Sequence, residues 1–197
     1  MGRTAILEAD AACAPEDLLA RCQRGEAGAW RALYRDHVDR LWRFVRRLGV
    51  APEEVEDVVQ ETFIVAHRRL ADFDGAVPVS TWLYAIAIRT AKCQMRRTWR
   101  RRLARLVGWE QGSADRPDRE IDRSDAEAEV AWILERMPEK KRTVLVLYEL
   151  EELDGPTIAA ILGCPVHTVW SRLRLARGDF KRLLRRRGAL EGAGAEA

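Results

Sequence analysis

Residues 157–187 constrain this chain more than any other stretch, because they describe two helices joined by a very tight turn. Ile158, Ile161 and Leu162 give a short apolar helix that runs into Gly163. Glycine takes the left-handed conformation that stops a helix without a Cβ clash. Pro165 then opens a second helix, since its fixed φ and missing N–H suit a first turn. Along that helix Val169, Leu173, Ala176 and Phe180 recur at helical spacing and form an inward stripe. The pattern is that of a helix-turn-helix.

The other side of the second helix has different chemistry. His167, Ser171 and Arg174 project outward, flanked by Trp170, Arg172 and Arg177. A short, polar, basic face suits the DNA major groove, where arginine forks onto guanine and serine donates or accepts. Lys181, Arg182, Arg185, Arg186 and Arg187 follow and suit phosphates. A solvated arginine-rich helix closing an ordinary bundle would share the charge, but not its union with the Gly-turn-Pro join.

At 197 residues the chain has room for one large domain or two small ones. Net charge is only +3 although 33% of residues are charged, so basic and acidic clusters divide the surface. Residues 1–12 include Glu8 and Asp10 and lack a long apolar core, which argues against a secretory leader. No stretch approaches the roughly 18 apolar residues of a membrane span. The expectation is a cytoplasmic protein without membrane insertion. Cys13, Cys22, Cys93 and Cys164 form no CxxC or Cys/His cluster, so no zinc is expected. They read as reduced thiols, with Cys93 and Cys164 packed as small apolar groups. No cofactor is expected. Glycines and prolines punctuate helical periods and no run alternates like a strand. The chain therefore reads as all-α, with two small helical domains joined by a flexible linker.

In order, a short helix is expected near residues 16–24 and a longer one over 26–48, stopped by Gly25 and Gly49. Trp30, Leu33, Val38, Leu41, Phe44, Val45 and Leu48 form the broad apolar stripe of the second. Pro52 starts a third helix, to about residue 71, with Glu53, Glu54, Glu56 and Asp57 near its positive end. Val55, Val59, Thr62, Phe63 and Ala66 give its core face. Asp57, Gln60, Glu61 and Ile64 give a second face at helical spacing. That second face suits a basic protein partner, or is a solvated acidic face with one stray apolar residue.

Residues 72–79 read as a loop, and Ser80 as the cap of the next helix. Trp82, Leu83, Ile86 and Thr90 form its packed side. Arg96, Arg97, Arg100, Arg101 and Arg102 surround Trp99 at its end. Rings among arginines suit single-stranded nucleic acid, bases stacking while cations follow the backbone. The competing reading puts Trp99 in the core and leaves the arginines merely solvated. Residues 106–125 are polar and read as the linker, between domains at 16–105 and 126–188.

In the second domain Val130, Ile133, Leu134 and Met137 lead to Pro138, and the next helix is expected to bury Val144, Leu145, Leu147, Tyr148 and Leu150. Glu149, Glu151, Glu152 and Asp154 do not read as a metal site, since neighbouring carboxylates point in different directions. Asp154 is instead expected to cap the first helix of the helix-turn-helix. Residues 189–197 read as frayed.

Three stretches then resemble one family. They are Asp57-Val58-Val59-Gln60-Glu61-Thr62-Phe63; Phe73-Asp74-Gly75 with Thr81-Trp82-Leu83-Tyr84-Ala85-Ile86-Ala87; and Thr168-Val169-Trp170-Ser171-Arg172-Leu173. Together, in order and spacing, they resemble the bacterial sigma factors of the extracytoplasmic-function group of the sigma-70 family. The resemblance covers residues 17–102 and 127–187. It implies a region 2 type first domain, and a region 4 type second domain carrying the helix-turn-helix.

It further implies that Asp57, Gln60, Glu61 and Ile64 dock on the clamp helices of the largest subunit of RNA polymerase core. Residues 72–80 and the following helix would recognise the promoter element near −10, holding a flipped non-template base. Phe73, Asp74, Ser80, Arg89, Arg96, Arg97 and Arg100 are the expected contacts there. His167, Thr168, Trp170, Ser171, Arg172, Arg174, Arg177 and Lys181 would meet the element near −35. An anti-sigma factor is a further implied partner. A basic residue is usual in the family where Trp170 stands, and an arginine is common at Leu175. Asparagine is common at Arg89, and tryptophan at His67. The −35 contacts here would therefore lean on Ser171, Arg174, His167 and DNA shape.

The chain is thus expected to be a promoter-specificity subunit and not an enzyme. A ligand-gated dimeric helix-turn-helix regulator is the alternative, reading half-sites one turn apart. It shows no dimerisation seam and leaves the Trp99 arginine cluster unexplained. No nucleophile–base pair, metal cluster or phosphate loop points to an enzyme acting on nucleic acid. His37, His67 and His167 lie on separate segments with ordinary surface readings.

Overall fold

The computed structural model describes residues 15–106 and 125–194, so Cys13 and all but the ends of the expected linker lie outside the described residues. Among the described residues every regular element is helical. Helices α1 (Pro15–Gln23), α2 (Ala27–Arg47), α3 (Pro52–Arg69) and α4 (Val79–Leu106) form an N-terminal bundle. Helices α5 (Asp125–Glu135), α6 (Glu139–Leu145), α7 (Gly155–Leu162) and α8 (Val166–Gly194) form a C-terminal one.

The N-terminal bundle follows from its apolar periods. Leu33, Leu41, Phe44, Val45 and Leu48 bury one side of α2. Gly49, at a φ of 81°, turns the chain away. Pro52 stands in the first turn of α3 with Glu53 and Glu54 at its positive end. Val55, Val58, Val59, Thr62, Phe63 and Ala66 are buried, each large apolar side chain contributing about 1.5–3 kcal/mol. The Thr62 hydroxyl donates to the Val58 carbonyl at 2.6 Å, so its burial leaves no orphan donor. Helix α4 packs across α3 and α2 through Leu83, Tyr84, Ile86, Ala87, Ile88 and Ala91. A 3₁₀ turn, Leu70–Asp72, follows α3. The Gln23 amide fastens α1 to it, donating to the carbonyls of Leu70 (3.2 Å) and Phe73 (2.9 Å).

Two expectations fail in α4. The helix starts at Val79, with the Trp82 N–H on the Pro78 carbonyl at 3.1 Å, so Ser80 lies within the first turn and caps nothing. Cys93 is exposed rather than packed, because two residues beyond buried Ala91 is about 200° round the helix.

The C-terminal bundle departs further. After α6 the helix widens into a π turn, Val146–Leu150, with the Glu151 N–H donating to the Val146 carbonyl at 3.1 Å. The extra residue shifts the phase of the side chains. Val144 to Leu147 stay buried, but Leu150, expected inside, is exposed and Tyr148 only half-buried. Glu151 turns inward in its place. Asp154 caps α7 as expected, accepting the Thr157 N–H at 2.8 Å. Hydrogen bonds from the Thr157 side chain and then its N–H hold this carboxyl below the usual range. Gly163 ends α7 at a φ of 60°. The Pro165 carbonyl accepts the Thr168 N–H, so proline stands just before the first turn of α8. Val169, Leu173 and Ala176 are buried. Helix α8 runs to Gly194, past the expected fraying point at Ala189, through good helix formers Ala189, Leu190 and Glu191.

Candidate nucleic-acid interface

Three faces carry the candidate residues. On α3, Asp57, Gln60, Glu61 and Ile64 are all exposed, and Ile64 is 44% exposed beside two carboxylates and an amide. Next to this face runs an aromatic seam that the spacing argument did not single out. Tyr34 packs on Phe63 with ring centroids 4.6 Å apart, and Trp30 meets His67 edge-on at 4.8 Å. Its signal was available in α2, where Trp30 and Tyr34 are four residues apart on one side.

The second face is a groove of about 920 Å³ between α3 and α4. Asp57, Glu61 and Arg69 line one side, and Arg89, Arg97 and Arg101 the other. The groove thus brings Arg89 and Arg97 together and sets them opposite two carboxylates of the first face. Arg96 and Arg100 are exposed but do not line it. Glu54 pins the outer half of α4 to α3 by accepting from Gln94 (3.2 Å) and from the Thr98 hydroxyl. Trp99 is 64% exposed, so the core reading of that ring fails and an indole stands free among exposed arginines.

Phe73, an expected −10 contact, is 6% exposed and lies against Trp82, centroids 4.6 Å apart. Trp82 is half-buried, in line with its expected packing role. Asp74 is exposed, but its Oδ1 accepts the Ala76 N–H at 3.0 Å and shapes the turn through Gly75. Ser80 is half-buried.

The third face is on α8. His167, Ser171, Arg174 and Lys181 are exposed, and Arg174 makes no ion pair among the described residues. Thr168 and Arg172 are half-buried. Arg172 has Cys164 Sγ within 3.8 Å. Arg177, expected on DNA, is held by the protein. Its guanidinium lies 2.7 Å from Glu149 and 5.3 Å from the Tyr148 ring centroid. The hydrogen bond to Glu149 raises its pKa. Arg182 is likewise drawn off the tail, donating to Asp179 at 2.6 Å while Lys141 holds the other oxygen at 2.7 Å. Trp170, another expected −35 contact, braces the helix-turn-helix. Its indole lies over Gly155, where a Cβ would overlap the ring, and meets Tyr148 edge-on at 5.7 Å.

Sequence reasoning passed over Glu151 as well. Its side chain is 3% exposed and accepts from the Tyr84 hydroxyl, from Arg40 at 3.4 Å and from Arg47 at 3.4 Å. Burial, and then the hydrogen bond to Glu151, push the Tyr84 hydroxyl well above its ordinary pKa. These partners lie 67 to 111 positions away in the sequence, beyond any spacing rule. No group of histidine, cysteine or acidic side chains among the described residues could hold a metal ion.

Residues 33–101 match the family pattern described as Sigma-70 region 2, and residues 129–179 that described as Sigma-70, region 4. The chain is similar to the RNA polymerase sigma-H factor of Pseudomonas aeruginosa, 34% identical over 179 residues, which covers 86% of this chain and 93% of that protein. It is also similar to the ECF RNA polymerase sigma-E factor of Haemophilus influenzae, 35% identical over 170 residues, covering 81% and 89%. Among solved structures it is similar to CnrH in complex with the cytosolic domain of CnrY, 29% identical, covering 87% of this chain and 97% of that one, with a TM-score of 0.63.

Proposed function

Because the chain belongs to the extracytoplasmic-function group of the sigma-70 family, we propose that its three exposed faces divide the work of promoter recognition. The domain at residues 16–105 binds RNA polymerase core through Asp57, Gln60, Glu61 and Ile64. It receives the melted −10 strand along Arg89, Arg97 and the exposed Trp99 arginine cluster. The domain at residues 126–188 reads the −35 duplex with His167, Ser171 and Arg174, while Lys181 lies on phosphate. Thr168 and Trp170 seat the recognition helix. The protein acts in the cytoplasm as an initiation factor with no catalysis of its own. CnrH is found with the cytosolic domain of CnrY, and an anti-sigma protein is the corresponding partner proposed here. The family relation gives no support to a ligand-gated dimeric regulator.

The observation that carries this reading is Ile64, an apolar side chain 44% exposed within an acidic face. On one face with Asp57, Gln60 and Glu61, such a residue suits contact with a basic protein partner. The first experiment is run-off transcription by core polymerase with and without this protein, on DNA from upstream of its own gene. A transcript appearing only with the protein is expected, and its absence overturns the reading. Asp57→Ala with Gln60→Ala should weaken capture by core polymerase about tenfold or more, by the loss of roughly 1.4 kcal/mol or above. Unchanged capture would remove the α3 face from the assignment.

A further inference from the structure

The two bundles touch through polar chemistry that promoter recognition does not use. Glu151 sits in the turn after α6, yet its carboxylate is enclosed by Tyr84 of α4 and by Arg40 and Arg47 of α2. Satellite contacts surround it: Arg46 reaches Glu135 at 3.3 Å, and Lys92 reaches Glu139 at 3.7 Å. Arg142 of α6 donates to the Leu134 carbonyl at 3.0 Å and lies so close to Gly49 that a Cβ there would overlap its guanidinium. Glycine at that position both takes the left-handed turn and admits a side chain of the other bundle.

We propose that Glu151, Tyr84, Arg40 and Arg47 form a latch that docks the C-terminal bundle on the N-terminal one in the resting protein, and that opens before both can sit on one promoter. This rests on the promoter-recognition reading above. Helix α4 touches α7, and α7 packs on α8. With helices about 8–10 Å apart at such contacts, α8 lies within roughly 20 Å of α4. Elements near −35 and −10 are twenty or more base pairs apart, roughly 70 Å at about 3.4 Å per pair. The docked arrangement cannot span that distance.

The chemistry of the contact suits reversal. A buried carboxylate with three donors fixes one geometry strictly, because losing a donor leaves charge uncompensated. When the bundles separate, Glu151, Arg40 and Arg47 regain water, which lowers the cost of opening relative to an apolar seam. The turn that aims Glu151 inward includes Glu152 at a φ of 56°, a conformation unfavourable for a residue with a Cβ. The fold thus accepts local strain beside the carboxylate it buries.

The test uses the full chain. Small-angle scattering of the parent should give the compact profile of a closed chain, near a radius of gyration of about 16 Å for 197 residues with a modest addition from its ends. Glu151→Ala, and separately Arg40→Ala with Arg47→Ala, should each expand it by roughly 5 Å or more with helicity unchanged by circular dichroism. The opened variants should also bind core polymerase about tenfold more tightly if the parent is about 90% closed. A compact profile for both variants overturns the latch. Should Glu151→Ala lose helicity, the arginine pair decides alone: expansion supports the latch and compactness overturns it. Failure of the parent to start transcription would overturn the promoter reading while leaving the scattering result intact.

Discussion

The outer faces of α3 and α4 and the C-terminal bundle use their charge differently. On the outer faces of α3 and α4, Asp57, Glu61, Arg89, Arg96, Arg97 and Arg100 are exposed and form no ion pairs among the described residues. The smaller C-terminal bundle ties its charges to one another: Glu149 holds Arg177, Asp179 holds Lys141 and Arg182, and Asp154 caps α7. A small helical unit buries proportionally less apolar surface and leans on such local ties. A basic residue on α8 is therefore much weaker support for a DNA contact than one on α4. Subtracting the tied residues leaves His167, Trp170, Ser171, Arg174 and Lys181 as the exposed candidates on α8.

The largest effect should come from the join that gives α8 its angle. Gly155 lies beneath Trp170, and Gly155→Val puts branched carbon into the indole. We expect a loss of about 3 kcal/mol, the upper end of usual overpacking costs, measured by urea unfolding. The N-terminal bundle should keep its helicity, since its core is built from α2, α3 and α4. A neutral Gly155→Val would show that Trp170 is not packed as described.

Next comes a matched pair of arginines. Arg174→Ala should cost about 2 kcal/mol of −35 duplex binding, roughly thirtyfold, and relax preference at one base pair. Arg177→Ala should leave base preference intact and lower only the thermal stability of the C-terminal bundle, because Glu149 already holds that guanidinium. Fluorescence anisotropy on duplexes with single substitutions reads both. Equal losses would erase the distinction between tied and free charges.

That distinction marks where the sequence was readable. Asp154 and Gly163 were legible because a cap and a left-handed stop are decided within four residues. The α3 face was legible because one regular helix carries it. Leu150 and Glu151 were not, because the π turn shifts the phase just where the spacing argument assumed a regular helix. Arg177 was not, because its partner lies 28 positions away. The burial of Phe73 was not legible either, because the resemblance that named it as a −10 contact says nothing of how its ring packs against Trp82. The fold was thus readable from local periods, while the allocation of charge depended on distant partners.

A smaller effect tests the tied charges by pH. Hydrogen bonding from Lys141, with smaller help from Arg182, holds the Asp179 carboxyl below its usual range. A carboxyl depressed in the folded state contributes stability that is present above its unfolded value, about 3.9, and is lost as pH falls through the folded value. Asp179→Asn should therefore cost about 1 kcal/mol at neutral pH. The gap between variant and parent should close as pH is lowered below about 4. A penalty of equal size at pH 7 and in acid would show that shape, not charge, is what the site requires.

The smallest expected effect has the opposite sign. Glu152 holds a left-handed φ of 56° while the next N–H, of Leu153, donates to the Leu147 carbonyl at 3.0 Å. A side chain with a Cβ costs about 1 kcal/mol or more in that conformation, and glycine removes the cost while adding some freedom to the unfolded chain. Glu152→Gly should stabilise the C-terminal bundle by somewhat under 1 kcal/mol, read by urea midpoint. Its scattering profile should stay compact, because Glu151 still reaches Tyr84, Arg40 and Arg47 across the same turn. If instead Glu152→Gly expands the chain, the rigidity of the turn is itself part of what holds the bundles together. Glu151 would then be docked by a strained hinge and not by its donors alone.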